Sequence, residues 1–125
     1  MINNYRILAN EDDALMRDIF SFYLADFKDV VIVDSGEEAI KECRTNLFDL
    51  VLTDIKSPHR VNGIEALKEI RKIDGYRNIP ILAVTGYTMN GDKEYFIQEG
   101  FNGYLAKPFL KATFLEFISK FLPAR

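Results

Sequence analysis

The stretch Phe48–Pro58, FDLVLTDIKSP, decides how this chain reads. Asp49-Leu50-Val51-Leu52-Thr53 is a short, mostly apolar run, the composition of a strand buried on both faces of a parallel sheet. It stops at Asp54, and Pro58 prevents an immediate regular continuation. An ionisable residue at the carboxyl end of a buried strand sits where open α/β sheets present ligands. Taken alone, Asp54 would read as an ordinary solvated strand end. The rest of the chain changes that reading.

On the N-terminal side, Tyr5–Ala9 is a strand candidate, followed after Asn10 by the acidic triplet Glu11-Asp12-Asp13. A helix comes next, capped by Asp12 or Asp13, with Met16, Ile19, Phe20, Tyr23, Leu24 and Phe27 as its apolar stripe. Val30–Val33 is a second strand. Ser35 then starts a helix with Glu38 in capping-box position and Ala39, Ile40 and Cys43 on its inner face.

On the C-terminal side, Gly63 opens a helix with Ile64, Leu67, Ile70 and Ile73 inward, and Asp74-Gly75 ends it. Pro80–Thr85 is an apolar strand like the third. Asn90–Gln98 reads as a short helix with Phe96 and Ile97 inward and Gly100 as its C-cap. Tyr104–Ala106 is a fifth strand, followed by Lys107-Pro108. The last helix carries Leu110, Phe114, Phe117, Ile118 and Phe121, and stops at Pro123. Leu115 and Leu122 lie off its stripe and are available to a partner or dimer face.

Strands alternating with helices imply right-handed crossovers and a doubly wound parallel sheet covered on both faces. At 125 residues, 48% hydrophobic and 28% charged, the chain is expected to form one domain spanning residues 1–125, with no room for a second. A net charge of −3 without a basic cluster gives no general attraction to nucleic acid or an anionic membrane. No apolar run approaches a membrane-spanning length, and Met1–Asn4 is too short and polar for a signal peptide. The single Cys43 cannot form an internal disulfide, which fits a cytoplasmic setting, and it reads as a packed small hydrophobe.

Every unusual residue falls at a carboxyl strand end. Glu11, Asp12 and Asp13 follow the first strand, Asp54 ends the third, Thr85 the fourth, and Lys107 follows the fifth, so they converge on one sheet edge. Clustered carboxylates repel and raise one another's pKa unless a cation intervenes. An all-oxygen acidic site with few ligands suits Mg²⁺, which keeps several waters and often bridges to a phosphoryl oxygen. Lys107 and Thr85 add a cation and a hydroxyl donor, the groups needed to hold a phosphoryl group. A carboxylate nucleophile, a metal and a lysine describe aspartyl-phosphate chemistry.

From about Tyr5 to Phe121 the sequence resembles the receiver domain of two-component response regulators. The resemblance is carried by Glu11-Asp12, Asp54 with Pro58 four residues on, Gly63, Thr85, Tyr104 and Lys107-Pro108-Phe109 in that order and spacing. It implies a flavodoxin-like sheet in the order 2-1-3-4-5 with five helices. It implies that Asp54 accepts phosphate from a phosphohistidine on a histidine kinase or histidine phosphotransfer protein. Asp12 would bind Mg²⁺ directly, Glu11 through water, and the Lys56 backbone carbonyl as a further ligand. Lys107 would pair with the phosphoryl group, Thr85 would move towards it, and Tyr104 would turn inward as the second switch residue. The Lys107–Pro108 bond is often cis in the family. Such a module signals through a helix 4–strand 5–helix 5 face to a downstream protein, or by phosphorylation-dependent dimerisation. It is not an enzyme on external substrates; only its own phosphorylation and dephosphorylation are implied.

The departures from the family are local. Asn10 takes a usually apolar strand position, so its amide must find buried partners. The loop Ser57–Gly63 is one residue longer than the common form, with Asn62 where Asp is frequent, and Lys56 lies two residues past the acceptor, where its side chain bears on phosphoryl lifetime. His59 reads as a solvated loop residue, Gly86 as leaving access to the acceptor, and Arg6, Lys41, Lys68 and Arg71 as ordinary solvated surface. On the first helix, Leu15 and Phe22 point away from the stripe and mark a docking face for the phosphodonor protein. Two other readings remain open: a haloacid-dehalogenase-like phosphatase, which places Asp-x-Asp after its first strand, and a receiver that docks constitutively without phosphorylation. The boundaries suit both a free-standing receiver and one excised from a longer regulator.

Overall fold

The strands β3 (Leu50–Asp54) and β4 (Ile81–Thr85) are buried along their whole length, as their apolar composition requires. In the computed structural model, which describes residues 4–55, 62–86 and 92–123, they are the centre of a sheet. β1 (Arg6–Asn10) lies beside β3, β2 (Asp29–Val33) forms one edge and β5 (Gly103–Ala106) the other, giving the order β2-β1-β3-β4-β5. All four pairings are parallel. Within the described residues, five helices alternate with them: α1 (Ala14–Tyr23), α2 (Gly36–Thr45), α3 (Gly63–Arg71), α4 (Asp92–Glu99) and α5 (Lys111–Ser119). The expected fold class is therefore borne out.

Side chains of each strand alternate between two cores. Leu8, Val51 and Ala83 face one core with α2, α3 and α4, through residues such as Ala39, Leu67 and Phe96. Ile7, Leu50 and Leu82 face the other with α1 and α5, through Phe20 and Phe114. The register sets Asn10 opposite Thr53 and Asp54 opposite Val84, so the strand ends come level at one edge.

Several local expectations need correction. α1 ends at Tyr23, so Leu24 is its C-cap and Phe27 packs into the core from the following turn. Ile97 is exposed on α4, because it follows buried Phe96 by one residue, about 100° round the helix. Leu110 is 75% exposed because it is the extended N-cap residue of α5, outside the helical repeat that would have turned it inward. Leu115 packs against the α1–α5 core because α5 buries a wider face than a single stripe, and Leu122 reaches the same core from the turn after α5, which ends at Ser119 rather than at Pro123.

Arg71 is not ordinary solvated surface. Its guanidinium donates to the carbonyls of Tyr76 (2.9 Å), Ile79 (2.5 Å) and Gly100 (3.2 Å) and to Asn102 Oδ1 (2.7 Å), tying the α3–β4 and α4–β5 turns together. Arg6 is likewise engaged, with Asp29 at 2.6 Å and the Phe48 ring at 5.4 Å. Gly100 has φ +118°, the left-handed conformation of its helix-ending role. The Lys107–Pro108 bond is cis, as the resemblance implies.

Candidate functional site

The strand ends bring Glu11, Asp12 and Asp54 together, with one carboxylate oxygen of each lying within 4.8 Å of the others. Glu11 is 1% exposed and Asp54 5%, so neither charge is met by bulk water. Lys107, from the residue after β5, reaches across the sheet edge to Glu11 Oε1 at 2.5 Å and Asp54 Oδ1 at 3.5 Å. Glu11 Oε2 also accepts from the backbone N–H of Asp13 at 3.2 Å. Thr85 is fully buried at the end of β4, and its carbonyl accepts from the Lys107 N–H at 2.9 Å.

Local sequence explains the placement. Asp13, not Asp12, caps α1, with Oδ2 accepting from Met16 N at 3.0 Å, which leaves the Asp12 carboxylate for the cluster. Asn10 finds its partner in Thr53 Oγ1 at 3.1 Å, and Thr53 Oγ1 lies 3.4 Å from the Asp54 carbonyl. The two residues preceding the acids are thus joined beneath them. Gly63 is required where α3 starts, since a Cβ there would lie 2.5 Å from the Asp54 carbonyl oxygen. Asn62 closes a capping box, accepting from Ile64 N and Glu65 N at 3.0 Å each while Glu65 returns to Asn62 N at 3.4 Å.

The electrostatics follow from burial and crowding. Desolvation, then the neighbouring Asp12 and Glu11, push the Asp54 carboxyl up to about 8 from its usual 3.8, against the pull of Lys107. Asp12 moves the other way: partial burial would raise it, but hydrogen bonds with Asp54 and Glu11, its own backbone and the Lys107 charge leave it lowered. Burial and crowding therefore favour a proton on Asp54, whose natural replacement is a cation. Three carboxylates converging at this spacing form a donor set of hard oxygens that could hold a metal ion.

Tyr104 stacks on Phe96 with ring centroids 5.3 Å apart and packs against the α2–α4 core. Leu15 and Phe22 are 68% and 66% exposed on α1 and belong to no core, with Lys111 Nζ 5.0 Å from the Phe22 ring centroid. Lys56, Pro58 and His59 lie outside the described residues. Sequence reasoning missed Arg17, whose Nη1 donates to the Glu11 and Asp12 carbonyls at 3.0 and 2.9 Å. Its signal was position: helical side chains lean towards the N-terminus, so a long one just past an acidic turn lies over that turn.

The sequence profile of the response regulator receiver domain matches residues 7–119. The polar-differentiation response regulator DivK of Brucella anthropi is 33% identical over 117 residues, covering 93% of this chain and 94% of that protein. Chemotaxis protein CheY4 of Vibrio cholerae superposes with a TM-score of 0.88 at 29% identity, over 95% of this chain and 99% of that one. The receiver domain of a Pseudomonas aeruginosa sensor histidine kinase, solved with a magnesium ion coordinated in its active site cleft, gives a TM-score of 0.85 at 30% identity. That match covers 94% of this chain and 97% of that one. These likenesses leave the dehalogenase-like reading without support. The chain belongs to the response regulator receiver domain family of two-component signalling.

Proposed function

We propose that this receiver takes a phosphoryl group from a protein phosphohistidine onto Asp54 in a Mg²⁺-dependent reaction and thereby changes which partner it binds. The observation that carries the reading is one constellation: buried Glu11 and Asp54 and half-buried Asp12, with a carboxylate oxygen of each within 4.8 Å of the others, and a lysine facing two of them. Asp12 and Asp54 would hold the metal directly, with the Lys56 carbonyl as a further ligand. Glu11, already bonded to Lys107 and to Asp13 N, is suited to act through water. When bound, Mg²⁺ supplies the positive charge that neutralises the acids and the incoming phosphoryl oxygens. The magnesium seen in the kinase receiver of similar fold supports this choice of ion.

In the transfer, an ionised Asp54 oxygen attacks phosphorus while the P–N bond to the donor imidazole breaks. The bonding pair stays on that nitrogen, and with its second nitrogen protonated the imidazole leaves neutral. Lys107 follows the charge from carboxylate to phosphoryl oxygen, and Thr85 donates its hydroxyl to the same group. Withdrawal of Thr85 makes room for Tyr104, whose ring rests on Phe96 of α4, so the state of Asp54 is read on the α4–β5–α5 face by a downstream protein or a second copy. Leu15 and Phe22 offer the donor protein an apolar face on α1. The buried, unpaired Cys43 fits a cytoplasmic setting.

Mass spectrometry after treatment with acetyl phosphate and Mg²⁺ tests the reading. Phosphate on Asp54, absent from Asp54→Asn, is expected. Folded protein that stays unlabelled would instead support a constitutive docking module.

A further inference from the structure

Arg17 stands one turn into α1, and its Nη1 donates to two carbonyls at once, those of Glu11 (3.0 Å) and Asp12 (2.9 Å). Among the described residues no ion pair joins Arg17 to a carboxylate. A guanidinium beside a cluster of acids that bonds their backbone rather than their side chains is doing something other than neutralising them. Its two hydrogen bonds act on the turn itself. The same turn is fastened by Asp13 N to Glu11 Oε2 at 3.2 Å and by Met16 N to Asp13 Oδ2 at 3.0 Å. Those bonds fix the Glu11 side chain and the start of α1. The first also orients the Asp12–Asp13 peptide from its N–H side, and Arg17 adds a bond to each of the two carbonyls on either side of Asp12.

The turn needs holding, because the acids it presents repel one another and Asp54. Left free, the β1–α1 segment would relax by spreading Glu11 and Asp12 away from β3. A cation would then have to draw them together as it bound. We propose that Arg17 is a positioning residue of the cation site, fastening the β1–α1 turn so that the Asp12 and Glu11 carboxylates face Asp54 before any cation arrives. This rests on the Mg²⁺-dependent reading above. It concerns how the ligands are held, not which residues they are.

Charge and position predict opposite signs here, so the two can be separated. Arg17 is a cation beside a cation site. By Coulomb's law alone its removal would tighten Mg²⁺ binding. If the residue positions the ligands, its removal weakens binding, as loss of groups that orient metal ligands does.

The experiment is calorimetric titration of Mg²⁺ into wild type, Arg17→Ala and Arg17→Lys, well below their melting temperatures, with cation-free melts as the check on folding. Arg17→Ala is expected to bind Mg²⁺ about tenfold more weakly. Arg17→Lys keeps a cation able to reach both carbonyls and should recover most of the loss. The Mg²⁺ concentration giving half-maximal labelling by acetyl phosphate should rise by the same factor, while the rate at saturating Mg²⁺ stays within about twofold of wild type, the signature of lost ligand binding rather than lost chemistry. Affinity in Arg17→Ala equal to wild type, or tighter, overturns the proposal. If Arg17→Ala gives no cooperative melt, Arg17→Gln takes its place with the same two outcomes. A wild type that takes up no Mg²⁺ overturns the reading of the site itself, a result distinct from a variant that binds as wild type does.

Discussion

Lys107 Nζ lies 2.5 Å from Glu11 Oε1 and 3.5 Å from Asp54 Oδ1, so the ammonium is bonded to one acid while it faces the other. Glu11 is the more deeply buried member of the bonded pair, with its side chain 1% exposed against 20% for Lys107. Removing the lysine strands a carboxylate that water cannot reach. Breaking one side of a buried pair costs far more than an exposed pair is worth. Lys107→Ala is therefore expected to lose roughly 3 kcal/mol of stability in metal-free buffer. Mg²⁺ should return part of it, because a divalent ion neutralises the same acids. Thermal melts with and without Mg²⁺ check this: the rise in midpoint should be larger in Lys107→Ala than in wild type. Equal rises would mean that lysine and metal serve separate charges.

The raised pKa of Asp54 makes the stability of the metal-free fold depend on pH. Its carboxyl titrates near 8 in the folded chain, from burial first and then Asp12 and Glu11, against 3.8 for the ordinary side chain. Between those values the folded state holds a proton that the unfolded state has released. The stability linked to that proton is complete below about pH 4 and is lost as pH rises through about 8. Asp54→Asn has no such proton to lose. In metal-free buffer its stability relative to wild type should therefore climb from pH 5 to pH 9, as read by urea denaturation. A difference that stays flat across that range would show that Asp54 titrates normally.

The fold was legible because each apolar run matched one period, and the carboxyl strand ends collected the polar exceptions. What could not be read was anything set by a neighbouring element. Phe27 lies on the stripe of α1 but beyond its end, since the helix stops at Tyr23 and the next turn brings the ring back to the core. Leu115 looked spare because one helix viewed alone has one stripe, whereas α5 packs on the sheet and α1 together, and Leu122 because the helix stops at Ser119 and the following turn brings it back to the core. In the site, the acids and lysine were visible from position along the strands. The hydrogen bonds that aim them were not, because Arg17 reaches backbone carbonyls, which every sequence has.

Arg71 shows the same blindness in a form that can be measured. Its guanidinium meets four oxygens, three of them main-chain carbonyls, and Asn102 Oδ1 also accepts from Ile81 N at 2.9 Å. Burial lowers its pKa, so the side chain is held there against a desolvation cost. Arg71→Ala should destabilise by roughly 2–3 kcal/mol, since it leaves several acceptors short of a charged donor. Arg71→Lys should recover only part, because an ammonium cannot reproduce the planar fork. Denaturant midpoints at constant slope check this. A cost for Arg71→Ala no larger than that of Lys72→Ala, whose one ion pair is exposed, would return Arg71 to ordinary surface.

The last prediction separates the donor protein from the chemistry. Leu15 and Phe22 lie two turns apart on α1, 68% and 66% exposed, while Met16, Phe20 and Tyr23 face the core. Exposed apolar residues are common singly and need no purpose. These two sit on one face of the helix whose first residues follow Glu11, Asp12 and Asp13, so a protein seated there would stand beside the carboxylates. Leu15→Asp should slow phosphotransfer from a phosphorylated histidine protein about tenfold or more, as the loss of a central apolar anchor does. Labelling by acetyl phosphate should be nearly unchanged, because the small donor needs Asp54 and the metal but no helix face. Equal slowing with both donors would mean that the substitution has damaged the site or the fold. Equal speed with both would place Leu15 outside the docking surface, and the two exposed side chains would then be surface and nothing more.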